Sequence, residues 1–292
     1  MKILVIGAEG QVGTFLVRDL SAHHEVSGTS LLGAAPYPRL DICDREAVQT
    51  YLERLRPEYV VLTAAFTHVD QCEKKPQAAE AINVRGPENV ALACRRVQAG
   101  LAFFSTDYIF DGTGGPYAES DAPHPLSVYG RTKWEAEQAV AANLENHLII
   151  RTMNVYSYLP GSLNLFMQLV DRTRKGEPVS GPVDQMINPT QAVNLAQALG
   201  ELVETGQKGI FNLAGTTRLS RVDFVRRVVA ELGYDPRQVK SQTTAEMSLP
   251  AARPLQSGLK TDKAQAVLKQ NKLWDLDTAL RFTFSQMSGH PA

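Results

Sequence analysis

The sequence predicts a doubly wound α/β fold, a parallel β-sheet with helices on both faces, completed by a smaller C-terminal α/β lid. Three observations carry this. Short, continuously apolar runs alternate through the first half with stretches of helical apolar spacing. The first of these runs leads at once into a cluster of glycines. The rhythm loosens after about Thr152.

Taken in order, residues 3–6 read as a first strand, and Val12, Phe15, Leu16 and Leu20 then fall on one helix face. A second strand lies around 26–30 and a third, buried one at 59–64. A helical stretch runs from about 76 to 97, and then come a strand at 101–105, a helix at 128–142 and a strand at 147–151. Beyond Thr152, helices are expected at 163–174 and 189–203, and residues 209–213 look like a strand returning to the sheet. Ser220 can cap a helix through Leu232, with Asp223 favourably placed near its positive end.

At 292 residues, with 43% hydrophobic and 21% charged, the chain can bury a large core and a smaller second one. A net charge of −1 gives no electrostatic reason to expect nucleic acid or an anionic membrane as partner. Cys43, Cys72 and Cys94 are few, odd in number and widely spaced, which argues against a disulfide framework and fits a reducing compartment. The first apolar run is too short for a signal peptide, and no stretch approaches the roughly 20 apolar residues of a membrane span. A cytoplasmic protein is expected. The histidines form no full ligand set, so no metal site is expected, and the absence of a G-K-[ST] loop gives no support to kinase or ATPase chemistry.

The glycines Gly7, Gly10 and Gly13 stand between the first strand and the first helix. There they allow a tight turn and close backbone approach, so that the helix N-terminus can hold a pyrophosphate. The second strand ends without the acidic residue that would grip an adenosine ribose and repel a 2′-phosphate. That leans toward NADPH and leaves NADH open, with Arg39 the nearest basic candidate. The resulting division is a dinucleotide-binding domain of residues 1–151 and about 182–215, and a substrate-binding domain of about 152–181 and 216–292.

Tyr129 and Lys133 are four residues apart at the start of a predicted helix and so share one face of it. A neighbouring ammonium favours the phenolate and makes the hydroxyl a better proton donor. Ser105 and Thr106 end a predicted strand, where the active sites of open parallel sheets collect. One of these hydroxyls can meet a substrate carbonyl and Tyr129, while the other serves as a turn cap.

The string Ser105-Thr106-Asp107-Tyr108-Ile109-Phe110-Asp111-Gly112, followed by Tyr129-Gly130-x-Thr132-Lys133, resembles the dTDP-4-dehydrorhamnose reductase family. The segment from Ala64 to Asp70, the pair Ile82-Asn83, Asp184-Gln185 with Pro189-Thr190, and Arg253-Pro254 with Ser257 resemble further stretches of that family in the same order. The resemblance implies a Rossmann-type sheet and NAD(P)H-dependent reduction of the C4 keto group of a nucleotide-linked 4-keto-6-deoxy sugar. Tyr129 would protonate the incipient alkoxide. Lys133 would hold the nicotinamide ribose and depress the Tyr129 pKa, and Thr106 would orient the carbonyl. Asp107, Tyr108 and Asn154 would line the sugar site, and Arg253 would pair with the diphosphate, a surface salt bridge being its bland alternative. The expected cofactor contacts are Gly7, Gly10, Gln11, Val12, Gly13, Ser30, Arg39, Asp41, Ile42, Ala64, Ala65 and Thr67, with Tyr129 and Lys133. A homodimer is an expectation of the resemblance alone.

Two positions depart from the family pattern. Asn154 stands where a tryptophan is usual, and Ile187 where a glycine is usual; both lie on the substrate side. Two alternatives stay open. One is a reductase or epimerase/reductase on another nucleotide sugar. The other is a non-catalytic NADP-binding subunit resembling the regulatory beta subunit of methionine adenosyltransferase, which is similar to these reductases. The intact Thr106, Tyr129 and Lys133 favour an enzyme.

Overall fold

The computed structural model describes residues 1–33 and 35–288. Its centre is a sheet of six parallel strands. Five are β1 (Lys2–Ile6), β2 (Glu25–Thr29), β3 (Tyr59–Leu62), β4 (Gly100–Thr106) and β5 (His147–Thr152), and the sixth is Gly209–Asn212. The spatial order is β2-β1-β3-β4-β5 and then Gly209–Asn212. The chain therefore reverses its direction of winding at the crevice between β1 and β3. In such sheets, ligands bind outside the carboxyl ends of the strands at that point.

The inner strands β1 and β3 are almost wholly apolar because helices cover both faces, whereas the edge strand β2 is mostly polar and partly exposed. On one face, Ile3 and Val5 of β1 pack with Phe15 and Leu16 of α1 (Gln11–Leu20) and with Leu195 and Leu199 of the helix Ala192–Glu204. On the other, Leu4, Ile6, Val48, Leu52, Val90, Ala136 and Val140 join β1 to the helices α2 (Arg45–Leu55), Gly86–Val97 and Val128–Asn143. A third core contains Tyr156, Phe166, Val170, Phe224, Val228, Leu276 and Leu280. It is built by helices Leu165–Arg174, Arg221–Glu231 and Leu276–Met287 and lies beyond the strand ends. No helix among the described residues is long and apolar enough to cross a membrane.

The doubly wound parallel sheet is the fold expected, and residues Gly209–Asn212 do return to it, beside β5. Ser220 caps its helix by accepting from the Asp223 amide at 3.2 Å, and its own hydroxyl donates to the Asp223 carboxylate at 2.6 Å. Three expectations need correction. The helix α2 was not foreseen, although Asp44 announces it by capping the Ala47 amide at 3.0 Å. The helix expected from 189 begins at Ala192, because Thr190–Gln191 pairs with Val155–Tyr156 and the Gln191 side chain then caps Val193 and Asn194. The helical stretch 76–97 contains a π-helical turn, Ala81–Arg85, a distortion that often marks a functional site.

Candidate active site

A cleft of about 880 Å³ opens over the carboxyl ends of β1, β3, β4 and β5. One end is made of backbone. Gly7 has φ +92°, a left-handed value that glycine tolerates. A Cβ on it would lie 2.6 Å from Thr63 Oγ1 and 2.7 Å from the Ala64 amide. A Cβ on Gly13 would lie 2.1 Å from the Gly7 carbonyl oxygen, so the helix can start this close to the strand only without one. Thr63 fixes the turn from below, its hydroxyl within 3.0 Å of the carbonyls of both Ile6 and Gly7. Gly10 gives α1 no side-chain cap, which leaves the first amides and the positive end of the helix facing the cleft.

Gly7, Gly10, Gln11, Val12, Gly13, Asp41, Ile42, Ala64, Ala65 and Thr67 all line the cleft. Ser30 and Arg39 do not. They face each other across a parallel bridge; Ser30 is buried, with its oxygen accepting from the Gly33 amide at 2.9 Å, and Arg39 is exposed. Gln11 reaches across the cleft, donating to Ser157 Oγ at 3.0 Å, and so ties the glycine turn to the segment beyond Asn154.

The other end is made of side chains. Ser127 caps the helix Val128–Asn143 by accepting from the Gly130 amide. Gly130 packs so closely on the Tyr108 carbonyl that a Cβ would sit 2.1 Å from its oxygen, which accounts for glycine after Tyr129. The Tyr129 hydroxyl is hydrogen-bonded to Thr106, and its ring meets Tyr108 edge-on at 5.6 Å. Lys133 is buried, with Nζ 4.1 Å above the centre of the Phe103 ring. Burial lowers its pKa to about 7, opposed by the Glu137 carboxylate. Burial likewise pushes the Tyr129 phenol up, whereas a downward shift through Lys133 was expected. The cause is common to both: a site this dry disfavours either charge.

Asp107 is buried, and burial raises its pKa to about 6 against the hydrogen bonds from Ser257 and Thr106. Arg253 is held at 2.9 Å by Asp70, with its guanidinium 5.9 Å from the Tyr108 ring centre, and only 9% of its side chain is exposed. It is thus no surface salt bridge. Asn154 lines the cleft in a left-handed conformation, φ +44°, which asparagine accepts more readily than most residues. Ile187 is buried in a short strand, Met186–Ile187, paired with Leu219–Ser220.

Five contributors were not singled out for roles in the sequence. Thr63 supports the glycine turn. Asn83 joins the cleft to the tyrosine helix through both Phe66 backbone groups and Thr132. Arg151 and Glu137 form a buried bidentate pair behind Lys133. Ser257 reaches Asp107 at 2.7 Å. Asn83 and Ser257 stood inside motifs, but only the folded chain gives their partners. Among the described residues, no three His, Cys, Asp or Glu converge to hold a metal.

A family model, the RmlD substrate binding domain, matches residues 1–284. A probable low-salt glycan biosynthesis reductase of Haloferax volcanii is 34% identical over 99% of this chain and 100% of its own. The dTDP-4-dehydrorhamnose reductase of Mycolicibacterium smegmatis is 34% identical over 94% of this chain and 82% of its own. The crystal structure of a Bacillus anthracis dTDP-4-dehydrorhamnose reductase in complex with NADP superposes with a TM-score of 0.89 at 27% identity, covering 98% of this chain and 100% of that one. With the glycine turn, the Thr106–Tyr129 pair and Lys133 in one cleft, the chain belongs to the dTDP-4-dehydrorhamnose reductase family.

Proposed function

We propose that the protein is an NADPH-dependent reductase of the C4 keto group of a nucleotide-linked 4-keto-6-deoxy sugar, converting dTDP-4-dehydro-L-rhamnose to dTDP-L-rhamnose. The observation that carries this is the Tyr129 hydroxyl bonded to Thr106, with Lys133 one helical turn on, in the same cleft as an uncapped glycine turn. The residues present fit a dinucleotide. Gly7 and Gly13 let α1 start hard against the strand end, and its uncapped N-terminus, facing the cleft, favours the charge of a pyrophosphate. NADPH rather than NADH is supported by a second strand that ends at Thr29 and is followed by Ser30, with no carboxylate at that strand end to repel a 2′-phosphate.

When bound, the nicotinamide supplies the hydride. The chain's own residues do the rest. Tyr129 donates its proton to the carbonyl oxygen as negative charge develops there, and Thr106 orients the phenol that donates it. Lys133, its pKa lowered to about 7 by burial, would hold the ribose hydroxyls, and in its charged form, one helical turn from Tyr129, it eases loss of the proton. Tyr108 and Asn154 bound the sugar, and Arg253, prealigned by Asp70, offers a planar fork to the diphosphate. The lid core beyond the strand ends, from residues of about 152–181 and 216–288, excludes water from the sugar. We assign the reaction to the cytoplasm. A homodimer is carried only by the resemblance.

The test is loss of nicotinamide absorbance with NADPH and dTDP-4-keto-L-rhamnose. The reading fails if NADPH binds and is not oxidised. Asn154 favours one second reading, a different 4-keto sugar, because an amide offers hydrogen bonds and no stacking face. A panel of keto sugars separates the two.

A further inference from the structure

Residues 251–260 run as a strap along the segment that follows β4. The Gly115 amide donates to the Gln256 carbonyl at 2.8 Å, the Gln256 amide to Gly112 at 2.7 Å, and the Tyr117 amide to Gly258 at 2.8 Å. The fit leaves no spare room, since a Cβ on Gly115 would lie 2.4 Å from the Gln256 oxygen. Inward from this seam, Ser257 is 1% exposed and Asp107 2% exposed. Ser257 Oγ donates to Asp107 Oδ2 at 2.7 Å, and Thr106 Oγ1 lies 3.3 Å from Asp107 Oδ1.

We propose that Asp107 is a positioning residue whose carboxylate ties the strap, through Ser257, to the Thr106 hydroxyl and thereby sets which way that hydroxyl faces Tyr129. The argument is one of proton counting. A carboxylate has only acceptors, so both hydroxyls must donate to it. Thr106 has one proton, which is then committed to Asp107. Its oxygen is left to accept, and it does so from the Tyr108 amide at 3.2 Å, with the Tyr129 hydroxyl beside it. Thr106 is thereby held in one orientation toward the phenol. Docking of the strap and alignment of the proton donor become one event. A buried network of this kind is strong only while every member is satisfied.

The role in turnover rests on the proposed reductase reading, so the test has a part that needs no turnover. Asp107→Asn keeps the shape but presents an N–H to Thr106. It should lower kcat about 10–100-fold, the loss of one hydrogen bond to a charged group, with KM nearly unchanged. Ser257→Ala should lower kcat less, Ser257→Thr should restore it, and the double variant should be no worse than Asp107→Asn alone. A raised KM with unchanged kcat in Asp107→Asn would make Asp107 a sugar ligand and overturn the proposal. So would multiplicative effects of the two changes. Hydrogen exchange supplies the second part. In Asp107→Leu the amides of Tyr117, Gln256 and Lys260 should exchange faster together with that of Tyr108. Protection unchanged in the strap would overturn the coupling even where the wild-type protein reduces a sugar. Where it reduces none, the reductase reading falls and exchange alone decides the coupling.

Discussion

The two ends of the cleft are built by different means. The glycine end is local: Gly7, Gly10 and Gly13 lie within one strand–helix turn, and their contacts are with Thr63, Ala64 and their own backbone. The side-chain end is assembled from afar. Arg253 meets Asp70, Ser257 meets Asp107, and Gln11 meets Ser157, over separations of between 146 and 183 residues. A backbone site tolerates no side chain but needs no partner, whereas a side-chain site can be retuned one residue at a time. Of the two departures from the family pattern, Asn154 lines the cleft and Ile187 is buried in the strand Met186–Ile187.

Substitutions should respect that contrast. The largest effect is expected of Gly13→Val, whose Cβ would start 2.1 Å from a carbonyl oxygen; NADPH binding by calorimetry should be lost. Lys133→Met comes next. It should lower turnover at least a hundredfold, yet raise the Tm of the protein without cofactor, because it removes a buried ammonium. The sign follows from the pKa. Lys133 falls to about 7 on folding, so between that pH and the ordinary lysine range near 10.4 the unfolded state binds the extra proton and stability rises with pH. The gain in Tm should therefore be larger at pH 6 than near pH 10. An equal gain at both would refute a low Lys133 pKa.

Asp70→Asn releases Arg253 without removing it, and KM for the sugar nucleotide should rise about tenfold with NADPH affinity unchanged. A fall in NADPH affinity would instead show that the two ends are not separable. The smallest effect on stability is expected of Asn154→Gly, which suits the left-handed backbone. Its urea midpoint should stay close to wild type while preference among keto sugars changes, whereas Asn154→Ala should cost about 1 kcal/mol.

How much of this the sequence disclosed follows the same divide. The sheet strands, the glycine turn and the Tyr129–Lys133 spacing are legible because each is a periodicity or a short motif. Ser30 and Arg39 show the limit on that side: they follow the second strand as a cofactor contact should, yet pair with each other outside the cleft. Thr63 went unremarked because a hydroxyl bracing a turn has no signature of its own. On the sugar side, Arg253 and Ser257 could be quoted as motif residues, but their partners lie more than 100 residues away and no spacing rule reaches them. The fall of the Lys133 pKa was equally hidden. The i, i+4 rule gives proximity to Tyr129, and only the packed structure shows how little water either group retains.

The central claim is that Tyr129, held by Thr106, is the proton donor of a sugar-nucleotide reductase. The most direct measurement is NADPH oxidation with dTDP-4-keto-L-rhamnose by the wild-type protein and by Tyr129→Phe, with NADPH affinity measured in parallel. The account predicts rapid oxidation that falls by about 10²–10⁴-fold in the variant, with affinity for NADPH retained. Equal rates in the two proteins, or tight NADPH binding with no oxidation by either, would contradict it.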